Sequence, residues 1–252
     1  MPRFTVKGLG TETKSIYQHQ LTWGRNNWHE SLTQHATEIE QLMNKLSTLE
    51  IWNSKLQSSP AAKELIPEIW MDNYVSITLA CIGLYKHATM SLRSSLETGL
   101  RLVYFFQHPI EYSWWKKGSR FGQDRERHDV WGPSYEYFGL LFSEFENECI
   151  KDGKDLFKQQ KCLPTLYNSL SGSIHTQAKR LQTTSGYSPK YNRAKFCEWK
   201  EFFFITNTYL NIILTLGFPN QFKNLLASDK SKIIDIGIGD YYNDKVKKIL
   251  RE

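Results

Sequence analysis

The sequence predicts an all-α protein: a single helical bundle with one or two long helices, short peripheral helices and room for one short N-terminal strand. Three observations carry this. Apolar residues recur at helical spacing through most of the chain. The 40% hydrophobic and 14% aromatic content is enough for a sizeable core. No internal repeat, low-complexity tract or series of alternating strands interrupts the 252 residues.

The elements follow in order. Residues 1–25 read as an N-terminal arm and 26–252 as the bundle domain. Within the arm, Arg3 to Gly8 (RFTVKG) reads as a short strand or an ordered arm, broken by Gly8 and Gly10. Asn26 or Asn27 can cap a long helix running to about Gln57, with Leu32, Ile39, Leu42, Met43, Leu46, Leu49 and Trp52 at helical spacing. SSPAAKELIP, with Pro60 and Pro67, reads as a break. From Glu68 to Gln107 the helical pattern runs on across Gly83 and Gly99. Pro109 pushes His108 out of the helical region, so His108 falls at the helix end and Pro109 opens a short new helix.

Residues 118–133 read as a charged loop. A helix from about Ser134 to Lys151 turns Tyr135, Phe138, Leu141, Phe142 and Phe145 inward. Pro164 starts a helix in which Leu166, Leu170 and Ile174 form an apolar row beside a polar row of Tyr167, Ser171 and His175. TTSGYSPKYN is a loop, residues 191–217 are a long aromatic-rich helix ended by Pro219, and short helices fill the tail.

A net charge of +6 and a pI near 9.0 permit a nucleic-acid partner. Cys81, Cys149, Cys162 and Cys197 are scattered without ligand spacing, which disfavours a zinc site and fits reduced thiols in a cytoplasmic protein. No cofactor is expected. MPRFTVKGLGTET has no apolar run of the signal-peptide type. The greasiest stretch, Phe202 to Phe218, is short for a membrane span and contains Asn207 and Asn211, so a buried core helix is expected and no membrane partner. P-loop, G-x-G-x-x-G, H-E-x-x-H and EF-hand patterns are absent from the sequence.

Three constellations could carry chemistry. Wound as a helix, residues 90–109 place Arg93, Glu97, Arg101, Tyr104 and His108 in one stripe roughly 80° wide. Leu96, Leu100, Leu102, Val103, Phe105 and Phe106 cover much of the remaining circumference near its C-terminal end. Buried charge is costly unless paired or used. The stripe is therefore either an ion-pair ladder or the wall of a site. As a site, a half-buried Glu97 holds Arg93 and Arg101 in place so that one of them can face an anionic phosphate, and His108 can serve as general acid or base.

Second, Ser171 and His175 resemble a nucleophile and base, but no neighbouring carboxylate orients the imidazole and no nucleophile elbow is present. A serine hydrolase is disfavoured. Third, Trp115, Lys116, Lys117, Arg120, Arg125 and Arg127 interleave rings and cations, a composition suited to single-stranded nucleic acid, though Asp124, Glu126 and Asp129 dilute it.

The segments LRSSLETGLRLVYFF and LYNSLSGSIHT resemble the Arg-x-x-x-Glu helix and the later Leu-Ser-x-x-x-His helix of HEPN-like (higher eukaryote and prokaryote nucleotide-binding) α-helical proteins of prokaryotic defence and toxin–antitoxin systems. The resemblance covers about residues 68–180. It implies a metal-independent ribonuclease or a non-catalytic relative, working as a dimer. Arg101-LVYFFQ-His108 meets the Arg-to-His spacing of that family. By the same resemblance, the RNA 2′-hydroxyl attacks the adjacent phosphate, His108 or His175 moves the proton, and Arg101 or Arg93 stabilises the developing charge.

Two functional readings follow. One is an RNA-binding or RNA-cleaving effector of a bacterial antiviral defence module, acting on RNA as a homodimer or in a hetero-complex with a defence partner protein. The other is a non-catalytic helical adaptor that docks on a larger enzyme or self-assembles through its Trp-rich surface and the helix over 26–57.

Overall fold

In a computed structural model of the chain, the described residues are 11–118, 144–145, 147–148, 163–174 and 190–250. All regular structure among them is helical. In order these are α1 (Thr11–Leu46), α2 (Thr48–Lys55), α3 (Pro60–Cys81), α4 (Tyr85–Gln107), α5 (Pro109–Lys116), α6 (Leu163–Ile174), α7 (Arg193–Gly217), α8 (Pro219–Lys223) and α9 (Ala227–Lys232). A π-helical turn (Ile233–Ile238) and α10 (Asp240–Leu250) follow as the last of the described elements. The strand expected over 3–8, the loop over 118–133 (beyond Gly118), most of the helix over 134–151 and most of the TTSGYSPKYN loop lie outside the described residues.

The first helix departs from expectation at both ends. It begins at Thr11 and passes through residues 25–27 without interruption. Asn27 is no cap because its amide is used elsewhere. Nδ2 donates to the carbonyl of Ile82 at 3.0 Å, and Oδ1 accepts the amide of Tyr191 at 3.1 Å. The helix kinks at His35, where φ is −135° and ψ 28°. His35 is buried there, stacked on Phe196 at 4.2 Å, with Nε2 2.8 Å from the Tyr191 hydroxyl and Nδ1 3.2 Å from Glu38. The helix then stops at Leu46 instead of running to Gln57. Ser47 and Thr48 turn their hydroxyls back onto the carbonyls of Asn44 and Lys45, at 2.6 and 2.7 Å, a local alternative to the helical ladder.

Residues 58–107 also depart from the expected pattern. Of the stretch expected to be a break, only Ser58 and Ser59 are non-helical: Ser59 caps α3 by accepting the amide of Ala62 at 3.3 Å, and Pro60 occupies the first turn, where its missing N–H costs nothing. Pro67 lies inside α3, on an exposed face where the carbonyl it leaves unpaired can reach water. The expected continuous rod is instead an α3–α4 hairpin. Gly83 adopts φ +84°, its amide bonds to Ala80, and the amide of Leu84 bonds to Leu79 at 2.8 Å. That is the paired bonding of a Schellman stop, which needs a left-handed residue just beyond the helix.

Helices α3, α4 and α7 make the core. Gly99 lets α7 approach α4 closely: a Cβ there would fall 2.4 Å from Leu210 Cδ2, and one on Gly217 would fall 2.6 Å from Val103 Cγ2. Trp199, Phe203, Tyr209, Leu210 and Ile213 on α7 are buried, each contributing on the order of 1.5–3 kcal/mol of apolar burial. A polar layer crosses this core. Asn207 Nδ2 donates to Asn73 Oδ1 at 2.8 Å, Asn73 Nδ2 donates to Ser95, and Trp199 Nε1 donates to Ser76 at 2.9 Å. The greasy stretch Phe202–Phe218 is thus the buried core helix expected, with Asn207 paired across to α3 and Asn211 donating back to the Asn207 carbonyl at 2.9 Å.

The tail packs back on α1 and α7. Lys45 Nζ donates to the carbonyl of Ile236 in the π-helical turn at 3.2 Å, and the turn closes at Gly239, with φ +87°.

Candidate functional site

The stripe on α4 is present, and α6 completes its first half. Arg93 Nε donates to Glu97 Oε1 at 2.9 Å, one helical turn away. Tyr167, on α6, enters this pair from across the bundle. Its hydroxyl accepts from Arg93 Nη2 at 2.7 Å and donates to the same Glu97 oxygen at 2.8 Å, while the guanidinium carbon lies 4.8 Å from the Tyr167 ring centroid. Three side chains thereby close a hydrogen-bonded triangle that joins two helices 70 or more residues apart in sequence.

The triangle is half-buried: the Arg93 and Glu97 side chains keep 18% and 26% of their surface exposed. Burial alone would lower the Arg93 pKa, but the Tyr167 hydrogen bond and the Glu97 charge outweigh it, so it is raised. Burial and the hydrogen bond to Glu97 raise the Tyr167 phenol. Arg93 is a fixed cation at neutral pH. Two of its N–H groups are committed to the triangle, and the rest of the five-donor fork has no partner among the described residues.

The far end of the stripe is a separate arrangement. From Arg93 to His108 the helix advances roughly 22 Å, so both cannot touch one phosphate. His108 ends α4, with Nδ1 3.0 Å from the carbonyl of Tyr104 and its ring stacked on Tyr104 at 4.3 Å. Pointing Nδ1 at a carbonyl makes that nitrogen the donor. In the neutral ring Nε2 is then the acceptor, the form a general base requires. Tyr104 also donates to Glu111 on α5. Arg101, half-buried, lies between the two ends. Glu97, expected to hold both arginines, accepts from Arg93 and from Tyr167. Ser171 donates to the Tyr167 carbonyl at 2.7 Å, an ordinary back-bond within a helix. His175 lies one residue beyond α6, outside the described residues.

The expected RNA-binding residues divide. Arg120, Arg125 and Arg127 lie outside the described residues. Trp115 is no exposed platform: it packs on Phe105 at 5.2 Å and Tyr112 at 6.1 Å, because α5 folds back on the end of α4. Its neighbour Trp114 is the exposed ring, at 46%. Lys116 pairs with Glu64 on α3 and sits 5.8 Å from the Tyr112 ring centroid, and Lys117 is exposed. These lysines rim a groove of about 750 Å³ between the start of α3, the end of α4 and α5. The groove escaped the sequence reading because three separated segments build it. Tyr167 was visible as part of a polar row, but not as the partner of Arg93.

Among the described residues, no helix is long and apolar enough to cross a membrane, and no three His, Cys, Asp or Glu residues are placed to hold a metal ion together. No family model, curated protein or solved structure matches the chain.

Proposed function

We propose that this chain is a HEPN-like, RNA-binding effector of a bacterial defence or toxin module, able to cleave RNA without a metal. The observation that carries the reading is the Arg93–Glu97–Tyr167 triangle. It brings together the two segments on which the resemblance rests and leaves a fixed guanidinium partly exposed at their junction. A phosphate meets the unused N–H groups of Arg93, with Glu97 and Tyr167 as the groups that orient them. Cleavage follows the route the resemblance implies: the 2′-hydroxyl gives its proton to a histidine and attacks the adjacent phosphate, the bond to the 5′-oxygen breaks to leave a 2′,3′-cyclic phosphate, the departing 5′-oxygen takes a proton from water, and an arginine stabilises the charge that develops. His108, too far along α4 to share the phosphate that Arg93 holds, suits the proton-accepting role at a phosphate beside Arg101, through the tautomer its Tyr104 contact selects. His175 is the other candidate, being the residue that follows α6.

The test uses the purified chain and a labelled single-stranded RNA without divalent ions. Arg93→Ala weakens binding at least ten-fold. His108→Ala or His175→Ala leaves binding intact and abolishes cleavage, identifying the histidine concerned. Unchanged binding by Arg93→Ala, in a protein with the parent's circular dichroism, removes the basis of the reading.

A second reading, a non-catalytic adaptor, is favoured by one feature. Ile110 and Trp114 stand one turn apart on α5 and are 66% and 46% exposed. On that reading Ile110→Glu with Trp114→Glu dissociates a complex visible by light scattering.

A further inference from the structure

The groove beside α5 differs in chemistry from the triangle and lies away from it. From Arg93 to Phe105, which lines the groove, α4 advances roughly 18 Å. At about 750 Å³ the groove is within the usual range for a small-ligand cleft. Three kinds of group face it. Phe105, Phe106 and Pro109 give it apolar walls. Ser58 and Ser113 bring exposed hydroxyls with no hydrogen-bond partner among the described residues. Two ammonium groups stand at the rim: Lys116 is paired with Glu64, whereas Lys117 has no carboxylate partner among the described residues.

A nucleotide has the complementary parts: flat apolar faces, an edge of donors and acceptors, and an anionic phosphate. A lipid chain would use the walls and leave the hydroxyls idle. A bare phosphate would use Lys117 and leave the walls idle. We propose that this groove receives one unstacked base of a single-stranded RNA, with Lys117 on its phosphate. The proposal rests on the RNA-binding reading above and adds a second, separate point of contact. At the 3.4 Å rise of a stacked strand, roughly 18 Å corresponds to about five nucleotides. A strand longer than that reaches Arg93 and the groove together while largely stacked, whereas a trinucleotide would have to be fully stretched to do so.

The experiment measures fluorescence anisotropy of labelled oligouridylates of about three and about eight nucleotides at low salt. It compares the parent chain with Ser113→Trp, which fills the groove from an exposed position, Lys117→Glu, which reverses the unpaired charge, and Arg93→Ala. The parent is expected to bind the longer strand at least ten-fold more tightly than the shorter. Ser113→Trp and Lys117→Glu are each expected to lose most of that advantage while keeping the parent's circular dichroism. If the parent binds RNA and both groove variants bind it equally well, with Arg93→Ala still impaired, the groove proposal is overturned and the RNA-binding reading stands. If the parent binds neither strand, both fall. If only the groove variants lose binding, the groove is supported and the phosphate role of Arg93 is not.

Discussion

Replacing Lys45 with methionine should stabilise this protein, and the gain should disappear with rising pH. Lys45 lies in the last turn of α1 with 5% of its surface exposed. Its ammonium donates to one carbonyl, that of Ile236 at 3.2 Å, and lies 5.6 Å from the Phe204 ring centroid, with no carboxylate among the described residues within ion-pair distance. Burial pushes its pKa from an ordinary 10.5 down to about 8. At about 1.4 kcal/mol per pH unit, the charged form therefore costs the fold on the order of 3 kcal/mol. Methionine removes the charge, keeps an unbranched chain and gives up a hydrogen bond worth about 1 kcal/mol. The net gain expected for Lys45→Met near neutral pH is about 1–3 kcal/mol.

The sign with pH is fixed by linkage. Between about 8 and 10.5 the unfolded lysine holds its proton while the folded one has lost it, so this group makes the parent more stable as pH rises through that window. Cys81, pushed up to about 12 by burial, works in the opposite direction above its ordinary 9.0, but it does so equally in both proteins and cancels in the difference. Urea unfolding of parent and variant across about pH 6.5 to 10.5 measures that difference. A gain that shrinks toward zero at the alkaline end supports the argument. A destabilised Lys45→Met, or a difference independent of pH, refutes it.

Three further outcomes follow from the packing. Gly83→Ala forces a side chain into a left-handed residue and sets its Cβ 3.2 Å from the Lys190 carbonyl oxygen, so chemical denaturation should show a loss of about 1–2 kcal/mol. Asn73→Ala strips partners from Asn207 and Ser95 in the buried layer and should cost about 1–3 kcal/mol by the same measurement. His35→Leu removes the ring that links Glu38, Tyr191 and Phe196. The hydrogen bond from His35, followed by smaller contributions including the Lys200 charge, lowers the Glu38 pKa below 4.5, so this contribution is present above the ordinary carboxylate range and lost as pH falls through it. The variant's stability should consequently depend less steeply on pH on the acid side than the parent's, as read by thermal melts.

Proline and local periodicity made much of the fold legible. Pro109 marks the end of α4 and Pro219 that of α7, because each clashes with the turn before it. The hairpin at Gly83 was hidden because helical spacing continues on both sides of one left-handed residue, with no proline to mark the stop. Pro67 misled in the opposite sense: the exposed carbonyl it frees is cheap, so α3 runs through it. Asn27 looked like a cap, yet its amide holds Ile82 and Tyr191, partners 55 and 164 residues away. The α4 stripe could be read from residue spacing alone. Its division into two ends could be read from the helical rise, whereas the Tyr167 contact and the groove depend on long-range packing.

We propose that Arg93, held by Glu97 and Tyr167, presents a guanidinium to an RNA phosphate. The most direct test is the affinity of a short single-stranded RNA for Arg93→Lys, Tyr167→Phe and the parent, measured across ionic strength. Arg93→Lys should bind at least several-fold more weakly, since an ammonium cannot keep the two-sided geometry. Tyr167→Phe should weaken binding less, with the parent's salt dependence retained because no charge is lost. Equal affinity for all three proteins, with circular dichroism unchanged, would contradict it and leave the triangle as a structural tie between α4 and α6.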